Sequence, residues 1–253
     1  MSTLTPSSMP PLNLAKFESA ALGKDEIQLH LYEAEAVLPW KTEALTRESL
    51  RFRFKRVMDV AGAIIGLLVL MPFMGLIALL IKWDSPGPAL FRQERRGYRG
   101  QPFWLFKFRT MIANAEQQLD GLEESNESRG GVLFKLREDP RVTRLGAFLR
   151  RSSLDELPQL LNVLRGEMSL VGPRPLQLRD SDRLSELDPQ GYQCRLHVLP
   201  GVTGPWQVSG RSEVDYECMV QLDLDYVKNW SPIRDIGIIC KTFVVVILGK
   251  GAY

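Results

Sequence analysis

Two adjacent acidic residues, Asp155 and Glu156, are the best candidates for catalytic residues in this chain, because of the residues that flank them. Arg150 and Arg151 lie just upstream, and Asp155 lies near the predicted start of a helix, where backbone N–H groups and arginines favour phosphate oxygens. A carboxylate among phosphate-binding groups can ligate Mg²⁺ or attack phosphorus. The pattern therefore indicates phosphoryl chemistry centred on Asp155.

The same carboxylates also fit a purely structural role. Ser153-x-x-Glu156 matches a capping box, in which Asp155 would only complement the helix dipole. Pro158 weakens this alternative, because beyond the first turn of a helix its missing N–H would be needed for a helical hydrogen bond. We therefore expect the turn that carries Asp155 to be irregular, or the helix to begin after it.

Three further cations are candidates for binding phosphate. Arg174 is flanked by two prolines that restrict its backbone, and a preorganised guanidinium is a good bidentate phosphate ligand. The alternative for Arg174 is a charge on a proline-rich surface turn. Lys107 and Arg109 lie at the end of the apolar run Phe103–Phe108, which predicts a strand. This second signal is weaker, because charged residues near strand ends are usually solvated.

The elements that must position these residues are predicted to be mostly helical. Asp139–Gly166 fits a helix, a turn and a second helix, since leucines recur at helical spacing in its second half and Gly166 supplies a stop. A short strand is predicted to begin at Ala89, and a helix to cover about Ala113–Leu122 before a loose loop. The fold class is therefore α+β, mostly helical, with a small strand element.

An uncharged run, Val60–Ile81, precedes the candidate site. It is long enough to span a bilayer core of ~30 Å at ~1.5 Å per residue. Pro72 interrupts the run, and basic residues flank both ends, which places both ends on the cytoplasmic side. We predict a re-entrant helix hairpin that bends at Pro72, with a buried helix of a soluble protein as the alternative.

Composition agrees with one catalytic domain and a membrane element. The chain has 253 residues, 45% of them hydrophobic and 25% charged, with a net charge of +2, so it is long enough to bury a core. Three isolated cysteines and two histidines argue against a disulfide framework, a zinc site or a histidine-rich metal site. We divide the chain into a weakly ordered extension (1–50), a re-entrant membrane helix (51–82) and a cytosolic catalytic domain at the membrane surface (83–253), with interfacial amphipathic helices.

Several motifs, taken in order, resemble the bacterial sugar transferase family, the monotopic phosphoglycosyl transferases that start glycan assembly on undecaprenyl phosphate. The resemblance covers about Phe52–Tyr253 and rests on the apolar hairpin, Lys107–Met111, Leu154–Gln159, Val171–Pro175, Pro200–Gly204, Gln207–Arg211, Asp223 and Tyr226. One departure is Met71-Pro72, where many relatives have Ser-Pro at the bend.

The resemblance implies that Asp155 is a nucleophile that attacks the β-phosphate of a UDP-sugar, expels UMP and carries the phosphosugar until a lipid phosphate collects it. It also implies a required Mg²⁺ held partly by Asp155, and a role for Glu156 as base or positioner. The phosphate- and substrate-binding residues expected on these grounds are Lys107, Arg109, Arg151, Arg174 and Arg211.

Similarity in Asp225–Ser231 and Gly251–Tyr253 points to the branch that transfers hexose 1-phosphate, with galactose or glucose favoured. The resemblance then implies the first membrane step of exopolysaccharide, capsule or O-antigen synthesis at the bacterial inner membrane. The expected partners are a UDP-sugar, undecaprenyl phosphate and membrane lipid, with no nucleic acid. The sequence leaves the oligomeric state open, a homodimer included.

Two other classes of function compete with this interpretation. A non-catalytic scaffold that binds anionic lipid explains the basic flanks and the apolar hairpin, but it gives no reason for an acidic pair beside arginines. A multi-pass transferase without a covalent intermediate would need several membrane-spanning runs, and this chain has one.

Overall fold

The computed structural model describes residues 50–115, 117–118, 121–122, 136, 138–210 and 216–248. Residues 1–49 of the expected N-terminal extension lie outside this set, as does Arg211. Helices form most of the described chain, with two small pairs of strands, as the fold class predicts.

The helices are α1 (Leu50–Asp84), α2 (Arg144–Arg151), α3 (Gln159–Arg165), α4 (Leu178–Leu187), α5 (Pro189–Arg195), α6 (Pro205–Val208), α7 (Tyr216–Lys228) and α8 (Pro232–Leu248). The strands are β1 (Leu90–Arg96), β2 (Pro102–Phe108), β3 (Ser169–Val171) and β4 (Gly201–Thr203). β1 and β2 form an antiparallel hairpin, whereas β3 and β4 pair in parallel. Short 3₁₀ turns cover Tyr98–Gly100 and Leu154–Glu156.

The apolar run lies in α1, which is one helix of 35 residues with Pro72 inside it. By length and composition, Phe52–Asp84 is sufficient to cross a membrane. A row of large apolar side chains on α1 is exposed, including Ile65, Leu68, Val69 and Leu76. Because water does not stabilise such a surface, we expect lipid to cover it. The re-entrant bend at Pro72 stays a prediction.

Both arms of α1, before and after Pro72, pack on the rest of the described chain. In the first arm, Ala63 is fully buried in a cluster with Leu160 and Val163 of α3. In the second arm, Ile77 and Ile81 are buried in another cluster with Leu149 of α2. The helix therefore forms part of two hydrophobic cores beneath the candidate site.

A buried polar group joins the first arm of α1 to α8. Lys55 Nζ lies 2.6 Å from Asp235 Oδ2, and the same carboxylate accepts hydrogen bonds from the Tyr226 hydroxyl (2.8 Å) and the Trp230 indole (3.1 Å). Asp59 accepts a hydrogen bond from the backbone N–H of Leu170 at 3.0 Å, which ties α1 to β3. A hydrogen-bonded buried group such as the Asp235 carboxylate fixes one arrangement of the elements it joins.

The strand predictions are confirmed by β1 and β2. The predicted helix over Ala113–Leu122 is wrong for residues 113–115 and 117–118, which form turns, while residues 121–122 are 3₁₀-helical. Where the chain leaves β3, the backbone passes so close to β4 that a Cβ on Gly201 would lie 2.1 Å from the nitrogen of Gly172. Glycine at both positions allows this approach, and the approach fixes where the next residues, Pro173 and Arg174, begin.

Candidate active site

The acidic pair lies in the 3₁₀ turn Leu154–Glu156, between α2 and α3. Ser153 has a left-handed backbone (φ 54°) and makes no side-chain capping hydrogen bond, so the capping box does not form. Pro158 has a φ of −60°, and α3 begins at the next residue. The expectation of an irregular turn ahead of a later helix start is confirmed.

Two cations from separate parts of the chain converge on Glu156. Lys107, next to the last residue of β2, places Nζ 2.9 Å from Glu156 Oε1. Arg174, from the loop after β3, places Nη2 2.8 Å from the same oxygen. Charge-assisted hydrogen bonds of this length are strong inside a protein, so the Glu156 carboxylate is neutralised and held in place.

Asp155 has a looser environment. Its Oδ2 lies 3.9 Å from Lys107 Nζ, too far for a hydrogen bond. The residue is 7% exposed, so its carboxylate is largely removed from water, and within the described part of the chain no cation lies closer to it than Lys107. This is the state that favours reaction with an incoming electrophile or metal over an internal ion pair.

The different surroundings shift the pKa values of the two acids in opposite directions. Burial raises the pKa of Asp155 to about 6, the nearby Lys107 opposes this rise, and the charge on Glu156 adds to it. Burial also acts to raise the pKa of Glu156, but the charges of Arg174 and Lys107 outweigh it and hold that pKa well below its ordinary value. Glu156 is therefore fixed as a carboxylate, and Asp155 titrates closer to neutral pH.

Burial also lowers the pKa of Lys107, while Glu156 acts to raise it. The guanidinium of Arg174 is supported from its other side, because it lies 5.7 Å from the ring centroid of Trp206, a cation–π distance. Trp206 and Trp230 are both buried.

Asn162 on α3 fixes the acidic turn relative to β2. Its amide accepts a hydrogen bond from the Phe106 N–H (3.1 Å) and donates to the carbonyl of Trp104 (2.7 Å) and to Glu167 (2.7 Å). These bonds flank Leu105, which lies two residues before Lys107 in β2. Sequence reasoning missed Asn162; its single signal was a polar residue among the leucines of the predicted helix.

The remaining candidates are placed elsewhere or fall outside the described residues. Arg109 donates to the carbonyls of Ser85 (2.6 Å) and Pro86 (2.8 Å) just beyond the end of α1, and it forms no ion pair with the acidic turn. Arg151 is exposed, and Arg211 lies outside the described set. Arg150 is the arginine of α2 that faces the site: its Nε donates to Thr110 Oγ1 at 3.0 Å, and its charge acts to lower the pKa of Asp155.

A magnesium ion is compatible with these residues only as a partner of a phosphate substrate. Within the described part of the chain, no group of three or more Asp, Glu, His or Cys side chains is placed to hold a metal. Magnesium commonly keeps several waters and is bound through one or two carboxylates together with substrate phosphates. Asp155 fits that role better than Glu156, because two cations already contact Glu156, whereas the closest described cation to Asp155 is Lys107 at 3.9 Å.

Comparison with known proteins shows the family of this chain. The family model for bacterial sugar transferases matches residues 50–249. The undecaprenyl-phosphate galactose phosphotransferase of Salmonella typhimurium is 41% identical over 226 residues, covering 88% of this chain and 46% of the relative. The exopolysaccharide production protein ExoY of Rhizobium meliloti is 44% identical over 207 residues, covering 79% of this chain and 88% of the relative.

A third relative is the UDP-glucose:undecaprenyl-phosphate glucose-1-phosphate transferase of Caulobacter vibrioides, 44% identical over 204 residues that cover 79% of this chain and 72% of the relative. The chain spans about half the length of several curated relatives, among them an uncharacterized sugar transferase of Haemophilus influenzae, of which 47% is covered. The matched region contains α1 and every described residue of the acidic site, and the chain therefore belongs to the bacterial sugar transferase family.

Proposed function

We propose that this chain transfers a hexose 1-phosphate from a UDP-sugar to undecaprenyl phosphate through a covalent phosphosugar on Asp155. The observation that carries the proposal is the asymmetry of the acidic pair. Glu156 is neutralised by Lys107 and Arg174, whereas Asp155 is buried and, among the residues that the structure describes, has Lys107 at 3.9 Å as its closest cation. A buried carboxylate beside fixed cations suits nucleophilic attack on phosphorus.

In the first half-reaction, a carboxylate oxygen of Asp155 attacks the β-phosphorus of the UDP-sugar. The bond between that phosphorus and the bridging oxygen breaks, and the electron pair leaves with UMP. Ionised Asp155 needs no base for this step, but two anions must approach each other. Lys107 and Arg174 lie where they reduce this repulsion and stabilise charge on the transferring phosphoryl group.

In the second half-reaction, an oxygen of undecaprenyl phosphate attacks the phosphorus of the aspartyl phosphosugar. The acyl phosphate bond breaks, the Asp155 carboxylate is regenerated, and the hexose leaves on an undecaprenyl diphosphate. Glu156 serves in both steps as a positioner, since its ion pairs set the places of Lys107 and Arg174. A magnesium ion, bound with the substrate diphosphate and Asp155, would neutralise phosphate charge.

The hexose is proposed to be galactose or glucose, the sugars in the printed names of the Salmonella and Caulobacter relatives. The name of ExoY supports a place in exopolysaccharide production. The reaction would then be the first membrane step of exopolysaccharide, capsule or O-antigen synthesis.

We also propose a monotopic placement at the inner membrane, with the catalytic domain facing the cytoplasm. Support comes from the exposed apolar side chains of α1, the basic residues at both of its ends and the packing of both arms on one domain. Such a placement brings the acidic site within reach of a soluble nucleotide sugar and of a lipid phosphate at the membrane surface.

The test is UMP release by the purified full chain in nanodiscs with Mg²⁺, undecaprenyl phosphate and either UDP-galactose or UDP-glucose. Without the lipid acceptor, a covalent mechanism predicts a burst of about one UMP per enzyme and an intact-mass increase equal to a phosphohexose. Asp155→Asn is expected to abolish the burst and the mass increase. Asp225→Asn, a change at an exposed aspartate of α7, serves as the matched control and should leave both intact.

Turnover that survives in Asp155→Asn would contradict the nucleophile assignment. A wild-type protein that binds undecaprenyl phosphate vesicles but releases no UMP from any UDP-sugar would favour the lipid-binding scaffold instead.

A further inference from the structure

The loop that carries Arg174 is held through three successive backbone carbonyls. Pro173 O accepts from the N–H of Gly201 in β4 at 2.9 Å, and Pro175 O accepts from Arg95 of β1 at 3.3 Å. Arg174 O accepts from Nη2 of Arg195, the last residue of α5, at 2.8 Å. Because proline has no N–H, the carbonyls are the main backbone groups through which the rest of the protein can fix this segment.

Arg195 is itself held by a carboxylate inside the core. Its Nε lies 2.9 Å from Oδ2 of Asp223, a residue of α7 with no exposed surface. One guanidinium thus contacts the Asp223 carboxylate through Nε and the Arg174 carbonyl through Nη2. The contact with Asp223 is an ion pair at 2.9 Å without hydrogen-bond alignment, whereas the contact with the Arg174 carbonyl is a hydrogen bond, so the charge of Asp223 holds the guanidinium and Nη2 holds the loop.

The Arg195–Asp223 pair is costly for a purely structural contact. Arg195 is 6% exposed and Asp223 0% exposed, and burial raises the pKa of Asp223 to about 6 against the opposing charge of Arg195. The two helices already approach closely without the pair, because a Cβ on Gly191 of α5 would lie 2.5 Å from Val220 of α7. A buried ion pair that only joined two helices would be replaceable by apolar side chains of similar volume.

What distinguishes this pair is its place behind the active-site arginine. The contacts run from Asp223 to Arg195, from Arg195 to the backbone of Arg174, and from the Arg174 guanidinium to Glu156. We propose that Arg195, held by Asp223, is a positioning residue that fixes the Arg174 backbone so that its guanidinium meets Glu156 and the transferring phosphate. This inference deepens the proposed function and rests on it.

The test uses a variant that leaves no buried charge unpaired. Arg195→Gln alone would strand the Asp223 carboxylate, so it is combined with Asp223→Asn. We expect the combined variant to lower kcat for UMP release by about 10- to 100-fold, with a change in KM for the UDP-sugar below about threefold, because a misplaced Arg174 weakens transition-state charge stabilisation.

A double-mutant cycle separates positioning from general stability. If Arg195 acts through Arg174, the combined variant should lower kcat by less than about threefold when it is added to Arg174→Lys. If the combined variant lowers kcat by the same factor in the wild-type protein and in Arg174→Lys, the two sites act independently and the proposal is overturned. Arg234→Met is the matched control, because Arg234 also pairs with an aspartate of α7, Asp225, and donates to a backbone carbonyl, but away from the acidic turn.

A second measurement does not depend on turnover. Hydrogen–deuterium exchange should be faster in peptides covering residues 172–178 of the combined variant, but unchanged there in Arg234→Met. Unchanged exchange in residues 172–178 of the combined variant would overturn the positioning role. If the wild-type protein releases no UMP from any UDP-sugar, the proposed function fails, and the exchange result still decides whether Arg195 holds the loop.

Discussion

The two adjacent acids show how neighbours divide roles between identical functional groups. Lys107 and Arg174 lie 2.9 and 2.8 Å from one Glu156 oxygen, while the closest cation to Asp155 among the described residues is Lys107, at 3.9 Å. Successive residues of a 3₁₀ turn point in directions about 120° apart, so the two side chains face different groups. The direction that the backbone turn gives each side chain therefore sets the difference in charged neighbours between Asp155 and Glu156.

The first prediction concerns the pH dependence of the first half-reaction. The attacking species is the carboxylate, and burial raises the pKa of Asp155 to about 6 from 3.8. The UMP burst rate should therefore be maximal above pH 7 and fall about tenfold for each pH unit below about 6. The burst is measured without the lipid acceptor, so that the lipid phosphate does not contribute to the titration. A rate that stays flat down to pH 4.5 would contradict the raised pKa.

The second prediction concerns Asn162, which is fully buried and joins α3 to β2. Asn162→Ala leaves the N–H of Phe106 and the carbonyl of Trp104 without this partner, so the free energy of unfolding should fall by about 2–4 kcal/mol. Because Lys107 shares β2 with these groups, kcat should fall as well. Thermal unfolding and UMP release measure the two effects.

The control is Asn229→Ala, since Asn229 is exposed and its side-chain amide donates to the exposed Asp225 carboxylate. It should leave both stability and kcat nearly unchanged. Equal effects of the two substitutions would show that Asn162 has no special part in holding the site.

The spacing of individual residues in the sequence predicted some site residues correctly and others wrongly, and the backbone geometry explains the difference. Lys107 and Arg109 share a face only while the strand continues, but β2 ends at Phe108, and the Arg109 guanidinium turns toward the end of α1. Arg150 and Arg151 point about 100° apart on a helix, and the sequence did not reveal which of them faces the site. Arg174 was found because two prolines mark it, whereas Arg195 carries no local signal.

The predicted elements were most reliable where backbone chemistry marks their ends. Pro158 requires α3 to begin late, and Gly166, with a φ of 81°, ends it. The range Ala113–Leu122 was predicted as a helix on composition alone, with no capping residue or apolar stripe, and residues 113–115 and 117–118 form turns. Polar residues that favour a helix do not form one unless a face packs on the core.

The third prediction separates the two surfaces of α1. Ile81 is 2% exposed in the cluster with Leu149, whereas Ile65 is 63% exposed. Ile81→Ala should lower the free energy of unfolding in detergent by about 2–5 kcal/mol, because it opens a cavity in the core. Ile65→Ala is the matched control and should change it little, since detergent or lipid replaces the lost contact. Equal losses would show that α1 does not pack on the domain as described.

At the scale of the whole molecule, the two hydrophobic clusters that contain residues of α1 also contain residues of the helices on either side of the acidic turn. α3, which follows the acidic turn, packs on the first arm of α1, and α2, which precedes that turn, packs on the second arm. Leu154 and Leu157, on either side of the acids, also pack on the second cluster. The position of Asp155 relative to the lipid is therefore determined by α1, and detaching α1 would expose both cores.

The last prediction tests the topology of α1. A straight helix rises about 1.5 Å per residue, so the ends of a crossing helix would reach opposite sides of a bilayer. Both arms of α1 pack on one domain, however, and its basic residues flank both ends. The experiment uses Val57→Cys and Trp83→Cys, both at exposed positions, in a cysteine-free background. We expect both introduced thiols to react with an impermeant maleimide in inverted membrane vesicles. Both should be protected in right-side-out vesicles. Val69→Cys, on the exposed apolar surface near Pro72, should resist labelling in both preparations because lipid covers it. Labelling of Val57→Cys and Trp83→Cys from opposite sides would mean that α1 crosses the bilayer, and since each arm packs beside the acidic turn, that result would also contradict the packing described here.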